Sequence, residues 1–334
     1  MNTPQKHTLE QPTRRVFFGL FCRTAIVLAL CGSAIAAPST IDRISKEILI
    51  PDSQQVLVVA HRGLGGRSTG AWEKYPENSL AAFAHSIEIG VDMIEVDVRK
   101  TKDGHLILMH DSRVERTTDG KGAITNLAFA EIRNLRLKTG IGAKGATLTS
   151  YKVPTLEEAL LLVKGKCLIN LDKVGSLIPE CCEVLRSTDT MRQVVFKAGY
   201  SAERCAADYG QIKPPVLFMP IITHKKDWKS RDKHGWAELE PYSRLLRPCA
   251  FELVFAAEDD PMAAPETTAL IKKNGSRVWI NTLWDTQAGG RCDEKAVHDP
   301  DANWGWVISR GANIIQTDEA ERLLQYLRSR NLHW

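Results

Sequence analysis

Val56-Leu57-Val58-Val59-Ala60-His61-Arg62-Gly63, residues 56–63, is a short run rich in valine that stops on a histidine, an arginine and a glycine. Runs of the same kind recur at Asp92–Val98, Cys167–Asp172, Gln193–Lys197, Val216–Met219, Ala250–Val254, Arg277–Thr282 and Asn313–Gln316. Between most of them lie helical patterns, at Ser79–Ile89, Thr155–Val163, Ala264–Lys273 and Glu319–Arg330. Strands that alternate with helices imply parallel strands joined by crossover helices. Eight of them in about 270 residues predict an α/β fold of the (β/α)8 TIM-barrel type. An open doubly wound sheet fits less well, because no Gly-x-Gly-x-x-Gly follows the first strand.

One connection breaks the alternation. Only residues 98–104 separate Asp97 from the next apolar run, His105–Met109, whereas a parallel crossover needs about a dozen residues. The pair is therefore expected to form an antiparallel hairpin extending the second strand, with Asp103-Gly104 as its turn. A turn centred near Lys102-Asp103-Gly104 is expected to return His110 beside Glu95.

The remaining composition agrees with one ordinary globular domain. The chain has 334 residues, 43% hydrophobic and 25% charged, which excludes disorder, collagen and coiled coil. Lysine and arginine number 44 against 40 acids; residues 1–36 hold Lys6, Arg14, Arg15 and Arg23 against Glu10, so the rest carries 40 against 39. A nearly neutral body gives no footprint for nucleic acid or for an anionic membrane. Residues 1–36 read as a secretory signal: a basic opening, an apolar run Thr24–Leu30 and the small-x-small pattern Ala34-Ile35-Ala36. Arg23 splits the apolar part, so neither half approaches the roughly 20 residues of a membrane span. Arg14-Arg15 followed by Phe resembles a twin-arginine signal. The expectation is a periplasmic or secreted protein with residues 37–334 as a single domain and no stable membrane insertion after processing. Six cysteines would remain, Cys167, Cys181, Cys182, Cys205, Cys249 and Cys292, and sequence cannot select among their pairings. Buried structural cysteines are the expected outcome.

His61 and Arg62 directly follow the first strand, which in a barrel places them at the C-terminal mouth, where active sites of this fold lie. Glu95 and Asp97 are two apart on one strand and so point the same way. With Ile94, Val96 and Val98 left to meet the helices, both acids point inward and require a cation or protons between them. Asp172 ends another strand at the same mouth. Three oxygen donors with open positions suit one divalent cation, Mg2+ or Ca2+, rather than zinc or copper. Arg62 beside such a cation suggests a phosphate-bearing substrate. His61 and His110 can then move protons near neutral pH, one as base and one as acid.

Taken in order, His61-Arg62-Gly63, Pro76-Glu77-Asn78-Ser79, Glu95-Val96-Asp97-Val98, Asp103-Gly104 with His110-Asp111, Arg116-Thr117-Thr118-Asp119-Gly120 and Thr317-Asp318 resemble the glycerophosphodiester phosphodiesterases. The resemblance spans about residues 56–330. It implies a barrel related to the bacterial phosphoinositide phospholipases C, a cation on Glu95 and Asp97, phosphate contact from Arg62, and His61 and His110 as acid and base. It also implies that Glu77 orients the His61-Arg62 pair or serves as a further site carboxylate. The substrate class implied is a small glycerophosphodiester, cleaved to glycerol 3-phosphate and an alcohol.

The chain departs from that family in three places. Asp172-Lys173-Val174 stands where many members read Glu-Ile-Lys, so the lysine is displaced by one residue and should change side. Lys173 then either points away, or the strand ends there and the loop redirects it; Lys197 could supply the positive charge instead, or lie solvated in a loop. Residues Leu64–Lys74, glycine-rich with Trp72, form either a flap over the site or a passive surface loop. Finally, Trp279–Asp285 replaces the usual Trp-Thr-Val-Asn run. Asn281 or Trp284 is expected to line the alcohol pocket, and Glu252 to meet a head-group hydroxyl. Two competing readings are a phospholipase acting on intact lipid and a periplasmic phosphodiester-binding protein without turnover. The near-neutral body weakens the first, and two histidines with three carboxylates weaken the second.

Overall fold

The computed structural model describes residues 40–224 and 236–334, and the expected signal at 1–36 lies outside them. Its backbone is set by strands rich in apolar residues: β1 (Leu57–Ala60), β2 (Met93–Lys100), β3 (Leu106–Leu108), β4 (Leu168–Asp172), β5 (Val194–Ala198), β6 (Leu217–Thr223), β7 (Ala250–Val254), β8 (Arg277–Asn281) and β9 (Ile314–Thr317). All but β3 pair in parallel, in the order β1-β9-β8-β7-β6-β5-β4-β2, and β1 pairs with β2 to close the ring. This is an eight-stranded (β/α)8 barrel.

Helices cover the outside where capping chemistry starts them. Before β1 comes α1 (Thr40–Glu47). Between β1 and β2 runs α2 (Leu80–Ile89), whose N-cap Ser79 accepts from the Ala82 N–H. The connection from β3 to β4 holds α3 (Phe129–Asn134) and α4 (Leu156–Val163), and Thr155 with Glu158 forms a capping box on α4. Then follow α5 (Ile178–Ser187), α6 (Ala202–Tyr209), α7 (Trp236–Leu246), α8 (Pro265–Lys273), α9 (Asp293–Ala296), α10 (Trp306–Ser309) and α11 (Ala320–Ser329). The six cysteines from Cys167 onward are free and buried.

The two-residue period of a strand sorts its side chains between two cores. Ile94, Val96, Ile169, Leu171, Phe251 and Leu253 face outward onto the helices. Leu57, Val59, Met93, Leu168, Val195, Ala250, Trp279 and Ile314 face inward, where Ile44 and Ile48 join them and close the lower end. One step further toward the mouth, on every barrel strand but β6, the inward positions become polar: His61, Glu95, Asn170, Lys197, Glu252, Asn281 and Gln316, each buried. The site thus grows from the barrel's own alternation.

β3 lies antiparallel to the end of β2, with Val98 opposite Leu108 and Lys100 opposite Leu106. The last ladder bond is Met109 N–H to the Asp97 carbonyl, 2.9 Å. His110 therefore arrives beside Asp97 and not beside Glu95 as the turn position suggested. The physical reason is that Asn78 already occupies this edge of β2: its Oδ1 accepts from the Asp97 N–H at 3.2 Å and its Nδ2 donates to Asp97 Oδ2 at 2.9 Å.

Candidate active site

Glu95 and Asp97 continue the inward face begun by Met93, and the β2–β4 register sets Asp97 beside Asp172. Oxygens of Glu95, Asp97 and Asp172 all lie within 4.8 Å of one another. Glu95 is 1% exposed, so its charge has little water to stabilise it. Burial, then the neighbouring Asp97 charge, push its carboxyl up to about 7. Asp97 goes the other way despite its own burial, because Lys173 and Arg62 sit against it. Asp172 is likewise lowered, with Lys197 and Lys173 overcoming burial. A compact, oxygen-only set in which one member is held above its ordinary pKa by burial and by like charge fits a hard divalent cation, which would relieve that repulsion.

Two lysines border the cluster. Strand β4 ends at Asp172, and Lys173 adopts a left-handed backbone, φ 58°, that turns its side chain inward. Its Nζ is 2.8 Å from Asp97 Oδ1. Of the two outcomes foreseen for the displaced lysine, redirection by the loop is the one found. Lys197 is buried, with Nζ 3.4 Å from Asp172, 3.6 Å from Glu252 and 3.9 Å from Glu95. Both lysines thus face the acids.

Arg62 is held by its backbone as much as by its side chain. It too has a left-handed φ, 52°, in the turn His61–Gly63 that follows β1. A non-glycine residue in that region costs on the order of 1 kcal/mol or more and persists where its surroundings demand it. Gly63 must be glycine, since its φ is 74° and a Cβ there would meet the Phe83 ring at 2.2 Å. The Arg62 N–H donates to Glu95 Oε2 at 3.1 Å, and Nη1 donates to Glu77 Oε2 at 2.7 Å. Glu77 is not part of the acidic cluster and bonds two arginines, Arg62 and Arg116, a geometry that fits an orienting group.

Each histidine has a carboxylate behind it. His61 Nδ1 pairs with Asp318 Oδ1 at 2.8 Å. Asp318 follows β9, and its N–H donates to Asp293 Oδ2 at 2.7 Å. Asp293 Oδ1 accepts from Thr282 Oγ1 and Trp304 Nε1. Burial would lower the His61 pKa, but the Asp318 charge and hydrogen bond raise it overall. His110 Nδ1 pairs with Asp111 Oδ1 at 2.8 Å. Here burial prevails over Asp97 and Asp111, and the pKa falls below the ordinary imidazole value. Arg116 joins the two halves: Nε and Nη2 donate to Asp111 at 2.8 and 2.9 Å, and Nη2 and Nη1 donate to Glu77 at 2.7 and 3.1 Å.

Sequence reasoning assigned no role to Asp318, Asp111, Arg116 or Asp293. Asp318 could have been found by position, because it stands just past the last barrel strand, at the mouth. Arg116 stood among the residues that carry the resemblance, without a role, and Asp293 gave no signal, since it acts across a loop. Arg116→Ala is expected to lower kcat by more than it changes KM, because two orienting carboxylates lose their shared donor, while Arg116→Lys recovers only part of it; steady-state kinetics of both variants check this.

The residues foreseen around the alcohol pocket are placed differently from one another. Asn281 and Glu252 are buried and bonded together, Nδ2 to Oε1 at 2.8 Å, and Trp279 Nε1 donates to Asn281. Trp284 is 51% exposed and stands edge-on to His61, with ring centroids 6.0 Å apart. The segment Leu64–Lys74 is tied down by Ser68, whose N–H and hydroxyl donate to Glu319 at 2.8 and 2.6 Å.

The closed barrel thus carries an acidic cluster and two carboxylate-backed histidines at its C-terminal mouth, where active sites of TIM-barrel enzymes lie. Residues 61–321 match the family model described as glycerophosphoryl diester phosphodiesterase family. A glycerophosphodiester phosphodiesterase from Caldanaerobacter subterraneus subsp. tengcongensis is 40% identical over 283 residues, covering 82% of this chain and 98% of that one. Among solved structures, a glycerophosphoryl diester phosphodiesterase from Parabacteroides distasonis superimposes with a TM-score of 0.68 at 22% identity, covering 87% of this chain and 92% of that one. A phosphodiesterase from Oleispira antarctica, solved in complex with the product sn-glycerol-3-phosphate, gives 0.55 at 19% identity, covering 81% and 96%. The chain belongs to the glycerophosphoryl diester phosphodiesterase family and is an enzyme of that kind.

Proposed function

We propose that the enzyme hydrolyses small glycerophosphodiesters to glycerol 3-phosphate and an alcohol, using His61 and His110 as the proton-transfer pair. The observation that carries this reading is the joint placement of the two carboxylate-backed histidines around the Glu95, Asp97 and Asp172 cluster. Those three acids would hold one divalent cation, Ca2+ or Mg2+, which when bound supplies positive charge to the phosphate. Arg62, fixed by Glu77 and by its own strained turn, binds a phosphate oxygen, and Lys173 and Lys197 add positive charge beside it. Trp284 offers an apolar wall on the His61 side, while Glu252 and Asn281 shape the interior beneath.

The opposite pKa directions support an assignment. His110, lowered, is neutral at neutral pH and suits the base that takes a proton from the attacking hydroxyl; His61, raised, is protonated more readily and suits the acid that gives one to the leaving alkoxide. Water is consumed and one P–O ester bond breaks. Activity should then fall below the His110 pKa, as the base becomes protonated, and fall again above the His61 pKa, as the acid loses its proton. Asp318→Asn removes the charge that raises His61, so the alkaline limb of the kcat profile is expected to move to lower pH; an unmoved limb would count against the assignment.

Residues 1–36 support export to the periplasm or beyond, with 37–334 as the mature domain; N-terminal sequencing of protein recovered from a periplasmic fraction tests this. The activity itself is tested by incubating purified protein with glycerophosphocholine and assaying glycerol 3-phosphate, with chelator and with re-added Ca2+ or Mg2+. Absence of release under all conditions rejects the reading.

A further inference from the structure

We propose that a basic recess beside the catalytic mouth receives a second anionic group carried on one ester arm of the substrate, so that the enzyme favours diesters whose alcohol is itself negatively charged. This rests on the reading that the mouth binds the phosphodiester. The recess arises because β2 runs past the barrel rim: Arg99, Lys100 and Lys102 follow the site residue Asp97, and Lys173 comes across from the loop after β4. Together they line a cavity of about 400 Å3 that also presents the hydroxyls of Ser112 and Thr125. Among the described residues, no carboxylate lines it. Its volume falls in the range of roughly 300–1,000 Å3 of small-molecule sites.

Charge balance decides what fits. Lys100 is paired with Glu180 at 2.8 Å, and Lys173 with Asp97 at 2.8 Å. Among the described residues Arg99 donates to a neutral acceptor, the His110 carbonyl, at 2.5 Å, and neither Arg99 nor Lys102 has an ion-pair partner. The recess therefore carries uncompensated positive charge, which attracts an anion and repels a quaternary ammonium. It also communicates with the site through its walls. Lys173 belongs to both, Ser112 is two residues past His110, and Arg99 holds the His110 backbone. In this proposal the charged arm of a diester, whose phosphate lies at the mouth, rests against these shared walls.

The test compares kcat/KM for three diesters that share glycerophosphate: glycerophosphocholine with a cationic arm, glycerophosphoglycerol with a neutral one, and bis(glycerophospho)glycerol, whose arm bears a second phosphate. The wild-type enzyme is expected to prefer the anionic arm over choline by about tenfold at low salt, with the ratio shrinking as salt screens the recess. Lys102 is exposed and outside the catalytic groups, and Lys102→Glu is expected to lower kcat/KM for the anionic arm by about five- to tenfold while the neutral arm changes by less than about twofold. Equal rates on the anionic and neutral arms in the wild type, or a Lys102→Glu effect shared by all three, overturns the inference while leaving the proposed function intact. Cleavage of none of the three overturns the proposed function, and this inference with it.

Discussion

Replacing His110 by alanine is expected to lower kcat on glycerophosphocholine by about 10²–10⁴, the usual contribution of a positioned general base or acid. KM should change little, because in the proposed mechanism His110 acts on a hydroxyl proton and does not hold the phosphate. The ring is fixed at Nδ1 by Asp111, which leaves Nε2 for chemistry, and its carbonyl is fixed by Arg99. His110 is partly exposed, so the truncation should leave the fold standing, and circular dichroism of the variant provides that check. Turnover within a few fold of wild type would remove His110 from the mechanism. His61→Ala should match it in size, since in the proposed mechanism the two act in one proton-transfer sequence and such groups are not additive.

The second large effect concerns the acids. Chelation is expected to abolish measurable turnover, with recovery on adding Ca2+ or Mg2+, and Glu95→Gln is expected to weaken cation affinity by at least the roughly 10–100-fold that loss of an outer-shell partner costs. The same substitution should have the reverse effect on stability in chelator. The Glu95 carboxyl rises from 4.5 to about 7 on folding, through burial and the Asp97 charge. Between those values the unfolded chain releases a proton that the folded one keeps, so the fold loses stability as pH rises through that window and the loss is complete above about 7. Glutamine cannot ionise and escapes the loss. Metal-free Glu95→Gln should therefore melt higher than metal-free wild type at pH 8, with the gap closing toward pH 5. A wild type that melts as high as the variant at pH 8 in chelator would show that the cluster is not strained by its own charge. Sites arranged for function commonly give up stability in this way.

How much of this was legible in the chain follows from the range of each interaction. The barrel was readable because strand alternation is local: the inward set Leu57, Val59 and His61, or Met93, Glu95 and Asp97, repeats every second residue whatever the rest of the protein does. The same periodicity delivered Glu95, Asp97 and Asp172 to one mouth. His61 and Arg62 were legible because the end of a barrel strand is the place where such residues become functional. The hairpin's sense followed from too short a connection, yet its outcome at His110 did not, since Asn78 arrives from another segment and claims the edge of β2.

Sequence by itself therefore determined the architecture and the chemical identity of the acids, histidines and arginine, because both depend on local period and on residue type. Only the tertiary structure decided who faces whom. Lys173 turns inward through a left-handed backbone, His61 is backed by Asp318 from 257 positions away, and Arg116 ties Asp111 to Glu77 across the loops. Hydrogen bonds and charge pairing act over a few ångströms of space with no period along the chain, so no pattern in the sequence announces them until the barrel closes.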